Sequence, residues 1–150
     1  MPIPEFIVET RKKIGTDLMW VPSVCAVVLR DSTVDSPWAV PDVLLVRRAD
    51  NGQWTPVTGI VDPGEEPHVA AVREVLEETG VKVTAAAIVG VGSHGPVTHS
   101  NGDQASYMTV QIRCEPLDPS VEPAVGDDEN TEAGWVPVSQ MPVTCLLYTS

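Results

Sequence analysis

The chain has 150 residues, 43% of them hydrophobic, enough for one compact domain that buries about two-thirds of its unfolded surface and too few for two ordinary ones. Its longest apolar runs, residues 24–29 and 43–46, fall far short of the roughly 18 residues of a membrane span, which excludes a transmembrane protein. Nine Lys and Arg against 21 Asp and Glu give a net charge of −12, and no basic residue follows Arg113, so a non-specific grip on nucleic acid or anionic lipid has little to work with.

Acidic residues among the first ten and no long apolar segment there argue against a secretory leader, and the expected home is the cytoplasm. Cys25, Cys114 and Cys145 are widely spaced and form no CxxC pair. That pattern fits neither a disulfide framework nor a zinc site, and they read as small buried hydrophobes. The 14 prolines and 11 glycines are scattered as punctuation between short apolar runs, so residues 1–150 read as a single domain of many short strands and few helices.

In chain order, residues 4–14 predict a short helix, with Arg11, Lys12 and Lys13 in its last turn and Gly15 as a stop. Residues 21–30 and 42–48, rich in Val and Leu, predict two neighbouring strands joined by a polar connection, and 53–58 adds a short third. Residues 67–79 predict a helix: Val69, Val72, Val75 and Leu76 share one side, Pro67 stands at the first turn and Gly80 follows the end. Strands are then predicted over 81–91, 105–114 and 134–138, with Asn101-Gly102-Asp103 supplying turn chemistry. His94, Thr98 and His99 are expected in a polar loop bordering the site, and His68 at the surface without a role.

At about 100° per residue, Glu74, Glu77 and Glu78 occupy one sector of the predicted helix, opposite its apolar side. Like charges three and four residues apart disfavour a helix, so this face is either a solvated acidic surface or the seat of a cation. Carboxylate oxygens so grouped suit Mg²⁺ or Mn²⁺.

Reading outward, Gly59-Ile-Val-Asp-Pro-Gly-Glu65-Glu-Pro-His-Val-Ala-Ala-Val-Arg73-Glu74-Val75-Leu-Glu77-Glu78-Thr-Gly80-Val81 matches the pattern GX5EX7REUXEEXGU, where U is aliphatic. Seven fixed and two apolar positions coincide by chance with a probability on the order of 10⁻⁹ per window. The stretch resembles a complete Nudix box. The resemblance covers about residues 18–142, leaving residues 1–17 as an N-terminal extension and 143–150 as a short tail.

The fold this resemblance implies is an α/β (α+β) sandwich of αβα type, with the box helix packed on a mixed sheet. The implied activity is metal-dependent hydrolysis of the pyrophosphate bond in a nucleoside diphosphate linked to another moiety. Carried over by residue, Glu74, Glu77 and Glu78 become ligands of Mg²⁺ (or Mn²⁺), joined by a backbone carbonyl near Thr58 or Gly59. Arg73 orients a box glutamate, Glu65 anchors the loop ahead of the helix, and Gly80 ends it. The general base is either Glu74 or an acid on the loop 126–132, where Asp127, Asp128, Glu129 and Glu132 stand. Glu129, six residues before Trp135, is the one placed where family members often carry such a carboxylate.

Arg47, Arg48 and Trp54 flank the strands leading into the box, where guanidinium groups grip phosphates and an indole stacks on a base; a core role for Trp54 stays open. Pro96, 15 residues beyond Val81, resembles the ADP-ribose-hydrolysing branch, and Tyr107 lies too far from the box for dinucleoside polyphosphate hydrolases. An ADP-ribose-like or nucleotide-sugar-like substrate is therefore expected, with a nucleoside triphosphate as the alternative. A nucleotide-sensing module without catalysis remains a further reading on the same fold. The apolar end Cys145-Leu146-Leu147-Tyr148 must pack either on its own domain or across a homodimer.

Overall fold

The computed structural model describes residues 3–141; the apolar end at 145–148 lies outside them. The elements are α1 (Glu5–Ile14), β1 (Met19–Arg30), β2 (Asp42–Arg48), β3 (Trp54–Thr55), β4 (Val57–Ile60), α2 (Pro67–Thr79), β5 (Val83–Thr98), β6 (Gln104–Pro116) and β7 (Asn130–Pro137), followed by a 3₁₀ turn. Strand order is β3-β2-β1-β6-β5, with β4 also paired to β1 and β7 to β2. β1 and β6 run parallel, whereas β4 on β1 and β5 on β6 run antiparallel, so the sheet is mixed. Among the described residues no helix is long and apolar enough to cross a membrane.

β1 organises the layers because successive side chains point to opposite faces. Val24, Ala26 and Val28 join Leu44, Ala70, Ala71, Val75 and Ile112 in the main core beneath α2. Met19 and Val21, of the opposite parity, meet Ile7, Phe6 and Ile14 of α1. Further along that face, Val43 and Leu45 pack with Val27, Leu29, Trp54 and Val136. A helix thus covers each face of the sheet, giving an α/β/α sandwich.

α1 is pinned by one side chain. Arg11 donates to the carbonyls of Gly15 (3.1 Å), Asp17 (2.6 Å) and Gln104 (2.7 Å), tying the helix to the start of β6. Gly15, at φ 62°, turns the chain out of the helix.

Three expectations change. The single strand at 53–58 is two, because Pro56 has no N–H for a ladder: Thr55 pairs with Val46 of β2, and Val57 with Ala26 of β1. The strand expected to end near Val91 runs on to Thr98, since β6 offers a partner that long and β5, outermost in the strand order, tolerates Pro96 at a register shift. His94 therefore lies on a strand rather than a loop, stacked on Tyr107 at 5.1 Å, and His99 Nε2 lies 2.8 Å from the Tyr107 hydroxyl. Lastly, the apolar side read for α2 is only in part the one it buries: Val75 is buried and Val72 packs against the core, but Val69 and Leu76 are 48% and 45% exposed, while Ala70, Ala71, Glu74, Glu78 and Thr79 are buried.

Cys25 and Cys114 are buried, and burial pushes the Cys114 thiol up to about 11, as fits a small hydrophobe. Leu44 is fully buried at the centre of the main core. Leu44→Ala is expected to lower stability by about 2–5 kcal/mol, read as a shift of the urea midpoint at unchanged m-value.

Candidate active site

The turn ahead of α2 is built around Arg73. Its Nε and Nη2 donate to both oxygens of Glu65 (2.8 and 2.9 Å), a two-pronged bond matching guanidinium to carboxylate. The same side chain donates to Glu74 Oε1 (3.0 Å), Glu77 Oε2 (3.3 Å) and the carbonyl of Ile60 (3.2 Å). Glu65 also accepts from the Asp62 backbone N–H at 3.2 Å, so loop, helix and β4 share one cation. The hydrogen bond from Arg73 holds the Glu65 carboxyl below its usual range, and the Glu65 bond raises Arg73 in turn.

Glu74 and Glu78, one turn apart on α2, point inward rather than to solvent. Glu74 is completely buried, its side chain lying so close to the α-carbon of Gly59 that a Cβ there would collide with it. Arg73 satisfies one Glu74 oxygen; Oε2 of Glu74 and Oε2 of Glu78 are buried with no hydrogen-bond partner. Burial pushes Glu74 up to about 7 against the pull of Arg73. It pushes Glu78 up to about 8, reinforced by the negative charges of Glu74, Asp127 and Glu129.

The segment between β6 and β7 closes over the end of α2. The last carbonyls of a helix lack partners within it, and here the N–H groups of Ala124 and Gly126 reach those of Thr79 (2.9 Å) and Glu78 (3.0 Å). Gly126 lies so near the Glu77 carbonyl that no side chain fits. The segment is held from behind by Trp135, whose indole N–H donates to the Val121 carbonyl at 3.1 Å and whose ring lies 4.5 Å under the Arg30 guanidinium. Arg30 itself bonds Asp42 (3.0 Å) and the Pro119 carbonyl (2.8 Å). This framework brings Asp127 and Glu129 to Glu78, with one oxygen of each of the three carboxylates within 4.8 Å of the others.

Arg73, Glu74, Glu77, Gly126 and Asp127 of this framework line a cavity of about 630 Å³. One wall carries Glu74, Glu77 and Asp127, and the other is formed by Pro4, Glu5 and Phe6 of the N-terminal segment with Ile60 and Pro63. Two buried, unpartnered carboxylate oxygens beside two more carboxylates are an all-oxygen donor set, which fits a hard divalent cation such as Mg²⁺ or Mn²⁺.

The structure brings Gly59, Glu65, Arg73, Glu74, Glu77, Glu78 and Glu129 to this place, and Gly80, at φ 74°, turns the chain out of α2. It does not bring Arg47, Arg48 or Trp54. Arg47 bonds Glu132 (3.2 Å) and the Gly52 carbonyl (3.0 Å), and Arg48 bonds Asp50 (2.6 Å), around a separate recess. Trp54 packs on the Val43 and Leu45 cluster. Pro96, on β5, is not among the residues lining the cavity. Sequence reasoning missed Gly126, whose only signal was a glycine opening an acidic loop, and the first turn of α1, set aside as an extension.

Two outcomes follow from this geometry. Gly126→Ala forces the loop off the Glu77 carbonyl and is expected to cost about 1–3 kcal/mol, read by urea titration. With EDTA present, Glu74 and Glu78 keep protons in the folded state, up to about 7 and about 8, that the unfolded chain releases near the ordinary 4.5. Their contribution is full below about pH 4.5 and is lost as pH rises through 7 to 8. The melting temperature of the wild type relative to a Glu74→Gln/Glu78→Gln double variant is expected to fall across that window.

Residues 19–147 match the family model described as the NUDIX domain. Over 49 residues, 33% of both chains, the protein is 51% identical to a putative 8-oxo-dGTP diphosphatase of Bacillus subtilis. Over 94 residues, 63% of this chain and 54% of the relative, it is 38% identical to a MutT-like protein of Streptomyces ambofaciens. The matches span a third and about half of those relatives' lengths. A NUDIX hydrolase structure from Nitrosomonas europaea superposes with a TM-score of 0.59 at 25% identity, covering 81% of this chain and 75% of that one. With the Gly59–Val81 motif folded around Arg73 and the family match running over most of its length, this chain belongs to the NUDIX domain family.

Proposed function

We propose that this protein is a metal-dependent pyrophosphohydrolase that cleaves the pyrophosphate bond of a nucleoside diphosphate linked to another moiety. The observation that carries the reading is the pair of buried, unpartnered oxygens on Glu74 and Glu78 beside Asp127 and Glu129. A fold does not hold carboxylates in that state for stability's sake, because buried charge without a partner costs free energy. Glu74, Glu77 and Glu78 would hold Mg²⁺, with Asp127 beside them and the backbone at Gly59 completing the set. When bound, the cation neutralises phosphate charge and lowers the pKa of water.

The chain's own residues then divide the work. Arg73 fixes Glu65, Glu74 and Glu77 in position through the bonds described above, and is so engaged that it orients carboxylates rather than gripping substrate. Glu129 is exposed beside Glu78 and takes the proton of the attacking water. Glu74, with one oxygen held by Arg73 and the other buried, is less open to that water. Neutral backbone N–H groups at Ala124 and Gly126 keep the acidic loop seated on α2.

For the substrate, the likeness to a putative 8-oxo-dGTP diphosphatase favours a nucleoside triphosphate, whereas the spacing of Pro96 from the box favours ADP-ribose. Product release with Mg²⁺ across ADP-ribose, nucleotide sugars, dinucleoside polyphosphates and nucleoside triphosphates decides between them. Glu78→Gln is expected to reduce turnover of the preferred substrate by at least about 100-fold while leaving the melting temperature in EDTA at pH 8 no lower than wild type. Full activity in Glu78→Gln overturns the proposal, as does tight nucleotide binding by the wild type without product, which would mark a sensor.

A further inference from the structure

We infer that Phe6, in the first turn of α1, is the substrate-facing aromatic surface against which the nucleobase stacks, so that purine nucleotides are the preferred substrates. This rests on the pyrophosphohydrolase reading above and goes beyond it, since α1 lies ahead of the region matched to the family, which begins at residue 19. The cavity has two chemically different kinds of lining. Glu74, Glu77 and Asp127, with Glu5 and Asp62, supply acidic lining, and Phe6, Ile60 and Pro63, with Pro4, supply apolar lining. A ligand suited to both carries a polyanion, handled through cations, at one end and a flat ring with apolar faces at the other, which describes a nucleoside 5′-phosphate derivative. At about 630 Å³ the cavity is within the ordinary size of small-ligand sites.

Stacking is the interaction the wall offers. Among the described residues lining the cavity Arg73 is the one cation, and its donors are taken by Glu65, Glu74, Glu77 and the Ile60 carbonyl. Ile60 follows Gly59, the residue that abuts Glu74, so the apolar wall adjoins the carboxylates with no intervening element. Phe6 is half-buried, one side packed with the cluster of Ile7, Met19, Val21 and Ala105 and another open to the cavity. Arg11 locks α1 to the sheet through three carbonyls, so the ring is set before substrate arrives and little ordering is required on binding. Phenyl–base stacking is sequence-tolerant but stronger for the larger purine surface.

The test uses the full chain with Mg²⁺ and a purine–pyrimidine pair sharing one leaving group, dGTP with dCTP or ADP-ribose with CDP-ribose. Phe6→Leu keeps an apolar side chain over the Ile7 cluster and removes the aromatic face. It is expected to raise KM for the purine substrate about tenfold, leave kcat within about twofold, and erase the purine preference. Phe6→Trp is expected to retain that preference and a KM no higher than wild type, which keeps the test decisive if Phe6→Leu loses stability. A purine KM in folded Phe6→Leu equal to wild type, or a Phe6→Trp variant whose KM rises equally for both bases, overturns the inference alone. A wild type that hydrolyses neither pair nor any other nucleotide overturns the proposed function and this inference with it.

Discussion

Two glutamates buried without full hydrogen bonding, Glu74 and Glu78, are the constraint around which the rest of the structure is arranged. A carboxylate removed from water is costly unless it is paired or protonated, and Arg73 reaches only one of the four oxygens involved. The remainder of the local fold serves to keep these groups inside in spite of that cost. Gly59 lacks a side chain where Glu74 must lie, and Ala70 and Ala71 put small side chains where α2 meets the sheet. Glu65 holds Arg73 from the far side so that the guanidinium cannot swing away to solvent.

That arrangement also explains why two remote segments converge on α2. Its final carbonyls need donors, and the backbone N–H groups of Ala124 and Gly126 provide them while delivering Asp127 and Glu129 to Glu78. The loop adds like charge to a site already short of cations, which pushes Glu78 higher still. It stays in place through contacts made elsewhere, chiefly the Arg30–Trp135 stack and the Trp135–Val121 hydrogen bond. The cost of burying these carboxylates falls at the site and is offset by packing and hydrogen bonding at a distance from it.

The spacing of glycine, arginine and glutamates between Gly59 and Val81 is enough to group Glu65, Arg73, Glu74 and Glu77, because those positions are fixed by contacts within one turn and one helix. Local rules also served for α1 and for the ends of α2. Which face of α2 is buried was not legible in the same way. Hydropathy places Val69 and Leu76 inside and glutamates outside, and only tertiary neighbours reverse this, Gly59 for Glu74 and the loop bearing Asp127 and Glu129 for Glu78. The length of β5 depended on β6 offering thirteen residues of partner, which no window of β5 itself reveals. Gly126 and Phe6 were illegible for one shared reason: each acts through a neighbour more than forty residues away in sequence.

The charge balance of the chain bears on how such a site meets a phosphate compound. Arg11, Arg30, Arg47, Arg48, Arg73 and Arg113 all form ion pairs with the protein's own carboxylates. The exposed pairs, those of Arg47, Arg48 and Arg113, contribute little to stability, yet all six commit the guanidinium groups to neighbours of opposite sign and away from an incoming polyanion. A net charge of −12 then repels phosphate at long range, and more strongly at low salt. On the reading proposed above, attraction is supplied by cations that the acidic wall collects, so it acts at short range and only where Glu74, Glu78, Asp127 and Glu129 converge. With the inferred stacking on Phe6, discrimination among nucleotides is correspondingly left to the apolar side chains of the lining, where shape and ring area differ between substrates that carry the same phosphates.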